Sequence, residues 1–350
     1  MLCHDITQII PGVKKDAVFR KGHIITKEDI PVLLSVGKDT IYIWENDETM
    51  MHENEAAEVL YRMSACGTKK IEAASAASDV YKRQSKMHPS PVKEGKIEVI
   101  ADCDGLLKVD SEKLKKVNSF GEMMIATRHG NTTVKKGDKL AGTRIIPLVI
   151  KKDKLKEASN ICEDGPILDI KPFVVRKAAI ITTGNEVYHG RIQDAFTPVI
   201  EKKIAEFGAQ MMFHEVFDDD DKKITDGCLR AIEAGAEIVF CTGGMSVDPD
   251  DKTPLAIKNT GARIVSYGSP VLPGAMFLLS YYDAGDRLVP ICGLPGCAMY
   301  NKRTIFDIVL PRLMARDMIY ADELAGLGEG GLCLNCDVCT FPNCGFGKGF

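Results

Sequence analysis

No stretch of the chain approaches the roughly 18 consecutive apolar residues that a membrane-spanning helix needs, so no helical span is expected. Neither sign of charge dominates: 45 basic and 49 acidic side chains leave a net charge of −4. A basic surface of the kind that drives binding to nucleic acid or to a membrane is therefore not expected. The start, Met1-Leu2-Cys3-His4-Asp5, lacks a charged and then apolar export signal, and a cytoplasmic location follows as the expectation. What is present is an ordinary globular balance, 45% hydrophobic and 27% charged, over 350 residues. That length suits about two domains with a tail.

Twelve cysteines is a high count for a cytoplasmic chain. Disulfides are disfavoured there, so clustered thiols point to metal or redox chemistry. Cys3, Cys66, Cys103, Cys162, Cys228, Cys241, Cys292 and Cys297 are scattered, and most are expected to be small buried apolar residues. The other four crowd the carboxyl terminus.

Texture divides the chain into 1–165, 166–320 and 321–350. The first part is β-rich with some helix. Ile41-Tyr42-Ile43-Trp44, Ile97-Glu98-Val99-Ile100 and 144–150 read as strands, and Lys135-Lys136-Gly137-Asp138 as a turn. Val117–Thr127 fits either a helix or a buried strand. Segment 64–88 has no helical or strand periodicity. Its string Asp79-Val80-Tyr81-Lys82-Arg83-Gln84 is similar to those produced when sequencing-adapter DNA is translated by mistake. The segment is therefore expected to be an assembly artefact or, alternatively, a disordered loop.

Residues 166–320 alternate strand and helix. Ala178–Thr183, Gln210–Phe213 and Glu237–Cys241 read as buried strands. Between them Phe196, Val199, Ile200, Ile204 and Phe207, then Ile224, Cys228, Leu229 and Ile232, repeat at helical spacing. This βαβαβ order predicts an α/β fold, a mostly parallel sheet covered by helices in three layers. More strands are expected near Ile264, at Phe277–Tyr282 and at Leu288–Cys292. A last helix is expected over Cys297–Met314, kinked or ended by Pro311.

Ligands of such sheets sit outside the carboxyl ends of the strands. Those ends carry Thr182-Thr183-Gly184-Asn185-Glu186, Thr242-Gly243-Gly244-Met245-Ser246 and Gly293-Leu294-Pro295-Gly296, with Pro273-Gly274 between. Glycines let backbone N–H groups approach an anion, and Thr242, Ser246 and Thr253 add hydroxyl donors. One glycine pair alone would be a tight turn. Three such loops point to a site for a phosphate or another oxyanion. Asp248, Asp250 and Asp251 follow at once, and carboxylates beside a bound anion call for a cation such as Mg²⁺ between them. The competing reading of Asp250 or Asp251 is a helix N-cap. Asp218–Asp221 reads as a solvated loop and helix start.

These loops, with Gly190-Arg191-Ile192-x-Asp194, resemble the molybdopterin-binding domain of molybdopterin molybdenumtransferases and adenylyltransferases, over about residues 175–315. The resemblance implies that Thr183, Gly184, Asn185, Glu186, Asp194, Thr242, Gly243, Gly244, Met245, Ser246, Thr253, Pro273, Gly274 and Gly293 to Gly296 bind the cofactor. It implies catalytic roles for Asp251 and Asp248, with Mg²⁺ at Asp251. Asp251-Lys252-Thr253-Pro254 matches the adenylyltransferase pattern. Two departures stand out. Asp248-Pro249 replaces the Gly-Asp of molybdenumtransferases, and Leu272-Pro273-Gly274-Ala275-Met276 lacks their lysines. The implied function is molybdenum cofactor biosynthesis, transferring adenylyl from ATP or molybdenum from molybdate to molybdopterin. The alternative is a non-catalytic molybdopterin carrier or sensor. A weaker likeness, on Gly190–Asp194 alone, is to nicotinamide-nucleotide-processing proteins. Relatives of this kind complete their sites across subunits, which implies a homodimer, and a molybdoenzyme maturation partner is conceivable.

The tail, Cys333-x₂-Cys336-x₂-Cys339-x₄-Cys344, has no counterpart in that family. Four thiolates are a full set for a [4Fe–4S] cluster or for tetrahedral zinc. Three thiols within seven residues favour iron–sulfur over zinc, with a metal-free redox cluster as a third reading. Gly326, Gly328, Gly330 and Gly331 predict a flexible approach to it. Arg128, His129 and His189 are further ligand candidates, each more simply read as surface residues.

Overall fold

The computed structural model describes residues 2, 6–10, 14–20, 22–41, 47–68, 86–245 and 251–349. The chain forms two compact units: 1–103, 109–128 and 136–169 make one, and 104–108, 129–135 and 170–350 the other.

In the first unit, strands Met87–Pro89, Lys96–Ala101, Lys139–Ile145 and Met123–Thr127 form an antiparallel sheet. Along Lys96–Ala101 every second residue (Ile97, Val99, Ala101) is buried, the period of a half-covered strand. Helix Glu53–Ala65 lies against this sheet, burying Ala56, Leu60 and Met63, and the His52 ring caps it by accepting from the Asn54 N–H. The ambiguous Val117–Thr127 resolves into both alternatives: helix Ser111–Asn118 ends there, and strand Met123–Thr127 follows a turn. The expected strand over 144–150 is broken, because strand Lys139–Ile145 stops and Val149–Lys151 pairs instead with Met50–His52. The expected strand at Ile41–Trp44 falls largely outside the described residues, as does 69–85. The described flanks of the suspect segment are folded: Ser64 and Met87 are buried, and the Ser64 hydroxyl donates to the Leu60 carbonyl.

The second unit is built on a six-stranded sheet. Its strands are numbered here β1 (Lys177–Thr183), β2 (Gln210–Phe217), β3 (Ile238–Thr242), β4 (Arg263–Tyr267), β5 (Leu278–Asp283) and β6 (Leu288–Leu294). The order is β2-β1-β3-β6-β5-β4. The β1–β2, β1–β3 and β3–β6 pairings are parallel, whereas β5 runs antiparallel to both β6 and β4. The sheet is thus parallel in its centre, with two antiparallel strands added at one edge. Alternate residues feed two cores. Ala178, Ile180, Ile238, Phe240 and Cys292 face helices α1 (Phe196–Ala205) and α4 (Ile305–Met314). Ala179, Ile181, Val239, Cys241 and Ile291 face helices α2 (Asp221–Glu233) and α3 (Thr253–Asn259). Three layers result.

The expected helix over Cys297–Met314 is two helices, a short Cys297–Tyr300 and α4. The break is chemical. Thr304 caps α4 by accepting from the Phe306 N–H, while Asp307 accepts from the Thr304 N–H, a reciprocal box that starts a new helix. Pro311 lies inside α4, which continues to Met314.

Candidate functional site at the carboxyl edge of the sheet

Strand register gathers the site. Because β1 pairs with β2 on one side and with β3 on the other, the order of winding reverses between β1 and β3, and parallel sheets of this kind take their ligands beyond the carboxyl ends of the strands at such a point. The antiparallel edge brings a further loop to that side. Leu278 pairs with Gly293 and Tyr267, so residues 268–277, including Pro273 and Gly274, project where β6 ends.

The loops are close-packed main chain. A Cβ added at Gly243 would lie 2.1 Å from the Thr183 carbonyl oxygen, and the residue adopts φ +83°. At Gly244 the nearest atom would be the Thr253 Oγ1, at 2.8 Å. Gly293 has the buried Met245 side chain against it, and Gly274 has Ile305 at 2.3 Å. At Gly243 and Gly274, where backbone or a branched side chain stands in the way, only glycine tolerates the approach. Thr183 Oγ1 donates to the Thr242 carbonyl at 3.2 Å and shares a 3.0 Å hydrogen bond with Thr253 Oγ1. Three of the predicted hydroxyl residues thus meet in one place. The fourth, Ser246, lies outside the described residues with Val247, Asp248, Pro249 and Asp250.

Among the described residues, two buried polar atoms here have no hydrogen-bond partner: Thr242 Oγ1 and Asp251 Oδ2. Such atoms are costly unless a ligand or ion satisfies them. The helix-cap reading of Asp251 does not hold, because α3 starts from Lys252 without a side-chain cap.

Sequence reading missed the second acidic group. The Thr183–Phe217 pairing puts Asp218 and Asp219 beside Gly184, whose N–H donates to the Phe217 carbonyl at 3.2 Å. The Asn185 N–H donates to Asp219 at 3.2 Å. Burial raises the Asp219 carboxyl above its ordinary value, and the charges of Glu186, Asp251 and Asp218 raise it further against that hydrogen bond. Asp218 also keeps a buried oxygen, Oδ1, without a partner. Asp220 and Asp221 behave as the helix start expected of the run: Asp220 caps α2 and Asp221 is its first residue. Tyr267 was missed as well: burial, then the nearby Asp251 charge, raises its phenol. Parallel register is the signal that would have found the aspartates; no local motif marks them.

Residues 179–315 match a family described as "Probable molybdopterin binding domain". They form a domain of that family. Residues 1–45 match another, described as "Domain of unknown function (DUF8806)". A molybdopterin molybdenumtransferase of Staphylococcus epidermidis is 26% identical over 159 residues, 43% of this chain and 38% of the relative. A putative competence-damage inducible protein of Bacillus velezensis is 29% identical over 90 residues, 26% of this chain and 21% of the relative. The chain therefore spans about a fifth to two fifths of these curated relatives. Among solved structures, the tungsten cofactor synthesizing protein MoaB from Pyrococcus furiosus overlays with TM-score 0.31 at 18% identity, covering 41% of this chain and 89% of that one. The molybdopterin biosynthesis Mog protein from Mycobacterium ulcerans gives 0.32 at 18%, covering 43% and 99%.

Within the molybdopterin-binding domain, the remaining predicted residues divide by exposure. Asn185, Glu186 and Gly296 are exposed, while Gly293, Leu294 and Pro295 are buried and shape the edge from beneath. Asp194 is occupied by structure. One oxygen accepts from the Phe196 and Thr197 N–H groups, the other from the Thr182 and Thr197 hydroxyls, with His214 at 3.5 Å. Burial would raise this carboxyl, but these hydrogen bonds hold it below the ordinary value. Elsewhere, Arg128 pairs with Asp138, and His129 and His189 are exposed. Among the described residues, no three His, Cys, Asp or Glu side chains stand close enough to hold one metal ion. That applies to the acidic groups and to the four tail cysteines alike. No helix among the described residues is long and apolar enough to cross a membrane.

The tail is not a loose appendage. Two of the glycines expected to make it flexible are close-packing positions instead: a Cβ on Gly331 would meet the Pro270 carbonyl oxygen at 2.3 Å, and one on Gly330 the Gly345 oxygen at 2.6 Å. Phe346 is buried in the α1–α4 core, with Cys333, Phe341 and Cys344 packed against it. Cys336 and Cys339 are exposed.

Proposed function

We propose that the carboxyl edge of this domain binds molybdopterin and that the chain is a transferase of molybdenum cofactor assembly, with adenylyl transfer its best-supported reaction. The observation that carries the reading is the pair of orphaned buried oxygens, on Thr242 and Asp251, beside glycines that only main chain can fill. A phosphate seated on the Gly243–Gly244 turn would take hydrogen bonds from N–H groups and hydroxyls. The carboxylates of Asp251 and Asp219 would repel it without a cation between. Mg²⁺ fits this donor set, because it is usually held by one or two carboxylates together with substrate phosphates and water. A site of that kind needs no third protein ligand. Asp248 is proposed as a further acidic partner on the same loop.

In adenylyl transfer, a phosphate oxygen of molybdopterin attacks the α-phosphorus of ATP and pyrophosphate leaves. The groups on this edge would position the two phosphates and offset their charge, which is the larger part of such catalysis. Transfer of molybdenum from molybdate is the second reading, favoured by the Staphylococcus epidermidis relative named for that activity. The lysine-free loop around Pro273 weighs against it. A carrier or sensor role without turnover is the remaining alternative. A homodimer and a maturation partner are proposed with the family and rest on it.

The test is to mix the purified full-length chain with molybdopterin, ATP and Mg²⁺, then separately with molybdate. Formation of adenylylated molybdopterin and pyrophosphate in equal amounts is expected. Tight binding with neither product would select the carrier; no binding would reject the reading altogether.

A further inference from the structure

The four tail cysteines are absorbed by none of this chemistry, yet all four line one cavity of about 230 Å³ in the second unit. Two of them are fixed by packing, since Cys333 and Cys344 lie against the α1–α4 core. The other two, Cys336 and Cys339, follow at two-residue gaps on the exposed side. Apolar walls come from Leu332, Leu334 and Phe346. Two cations, Lys302 and Arg303, border the same space. Each is tethered: the Lys302 Nζ donates to the Asp337 carbonyl at 3.3 Å, and Arg303 pairs with Asp307 at 2.9 Å and lies over the Phe341 ring.

We propose that Cys333, Cys336, Cys339 and Cys344 bind a four-iron, four-sulfide cluster in this cavity. Size favours a cluster over a single ion. The cavity is several times the share of one liquid water, about 30 Å³, so it has room for a polynuclear group between the four thiols. A cubane of four irons takes one thiolate at each iron and fills the middle itself. Four thiolates on the oxidised cluster leave about two net negative charges, and the two bordering cations match that number.

The cavity is also fastened to the ligand edge. The Leu272 N–H donates to the Gly331 carbonyl at 2.8 Å, and the Cys333 N–H donates to the Leu272 carbonyl at 2.8 Å. The first cluster ligand thus follows directly on a β-bridge to the residue before Pro273. The metal assignment itself is independent of pterin binding.

The experiment is anaerobic reconstitution of the full-length chain with ferric iron, sulfide and dithiothreitol as the reductant that brings half of the iron to the ferrous state, followed by iron and sulfide analysis and absorption before and after dithionite. About four irons and four sulfides per chain are expected, with a broad band near 400 nm that bleaches on reduction. Cys336→Ser and Cys339→Ser, both at exposed positions, are each expected to lose more than half of the iron while the metal-free chain keeps its far-ultraviolet spectrum. Cys103→Ser, in the other unit, is expected to keep all of it. Uptake of one zinc or one iron per chain without sulfide would overturn the proposal. So would undiminished iron in the Cys336→Ser, Cys339→Ser double variant.

Discussion

The glycine edge and the cysteine cavity are neighbours built on opposite plans. The edge is main chain held by a sheet: its donors are N–H groups, and its shape follows from strand register and from glycines with another residue's atoms 2 to 3 Å from a would-be Cβ. The cavity is made of side chains on a stretch with little regular structure, tied down by a few hydrogen bonds and by Phe346. Its thiols surround a space that they do not close. A site made of backbone is thus fixed by the fold, whereas a site made of thiols is finished by what it binds. The two should fail differently when perturbed.

The largest effect is expected at Gly243→Ala. The added methyl meets a backbone oxygen and the residue keeps a positive φ, so strain and overpacking together cost about 4 kcal/mol. Urea unfolding measures it, and molybdopterin binding should be lost with it. The same exchange at Gly190, which has open space for a Cβ, should be far milder. Equal effects would break the distinction between packed and unpacked glycines.

Asp317→Asn comes next. This buried carboxylate accepts from Lys108, Lys171 and Arg312, just beyond α4 on the chain leading to the tail. Burial alone would raise it, but those cations lower it to about 2. Because its folded value is depressed, its contribution is complete above the ordinary carboxylate value near 3.8 and disappears as pH falls through about 2. Removing one partner of a buried charge network costs about 3 kcal/mol. Limited proteolysis should then cut within 321–349 first, while calorimetric affinity for molybdopterin stays within about twofold, a shift under 0.5 kcal/mol. A loss of affinity as large as the loss of stability would show that edge and tail are not separable.

At Asp194→Ala four hydrogen bonds around the start of α1 are lost together, a cost of about 2 kcal/mol, with the tail's iron content unchanged. A smaller change of opposite sign is expected at Asp219→Asn. The raised carboxyl makes the folded state a better proton binder than the unfolded one, so wild-type stability falls as pH rises through the ordinary carboxylate range and up to the raised value. The asparagine variant should melt slightly higher than wild type at neutral pH without Mg²⁺, and should lose the upward shift that Mg²⁺ gives wild type. Thermal melts with and without Mg²⁺ check both.

Much of this was legible in the residues. Ile180 and Ile181 face opposite cores, as period 2 requires, and Ile200 and Ile204 pack as one helical stripe. The Thr183, Thr242 and Thr253 contacts follow from loops at strand ends. What was not legible depends on register between distant segments. Asp218 and Asp219 resemble any solvated acidic run until β2 is laid beside β1, and the Asp251 charge acts on Tyr267 from a separate stretch of chain. The glycines before the tail carry the composition of a linker, and only the closeness of Pro270 and Gly345 shows them to be packed.

The most direct measurement is a crystal structure of the full-length chain grown with molybdopterin and Mg²⁺. The expected result is the pterin phosphate on the Gly243–Gly244 turn, within hydrogen-bond distance of Thr242 or Thr253, with the ion between it and Asp251. Molybdopterin lodged away from the carboxyl ends of β1 and β3, or an edge left vacant at saturating ligand, would contradict it.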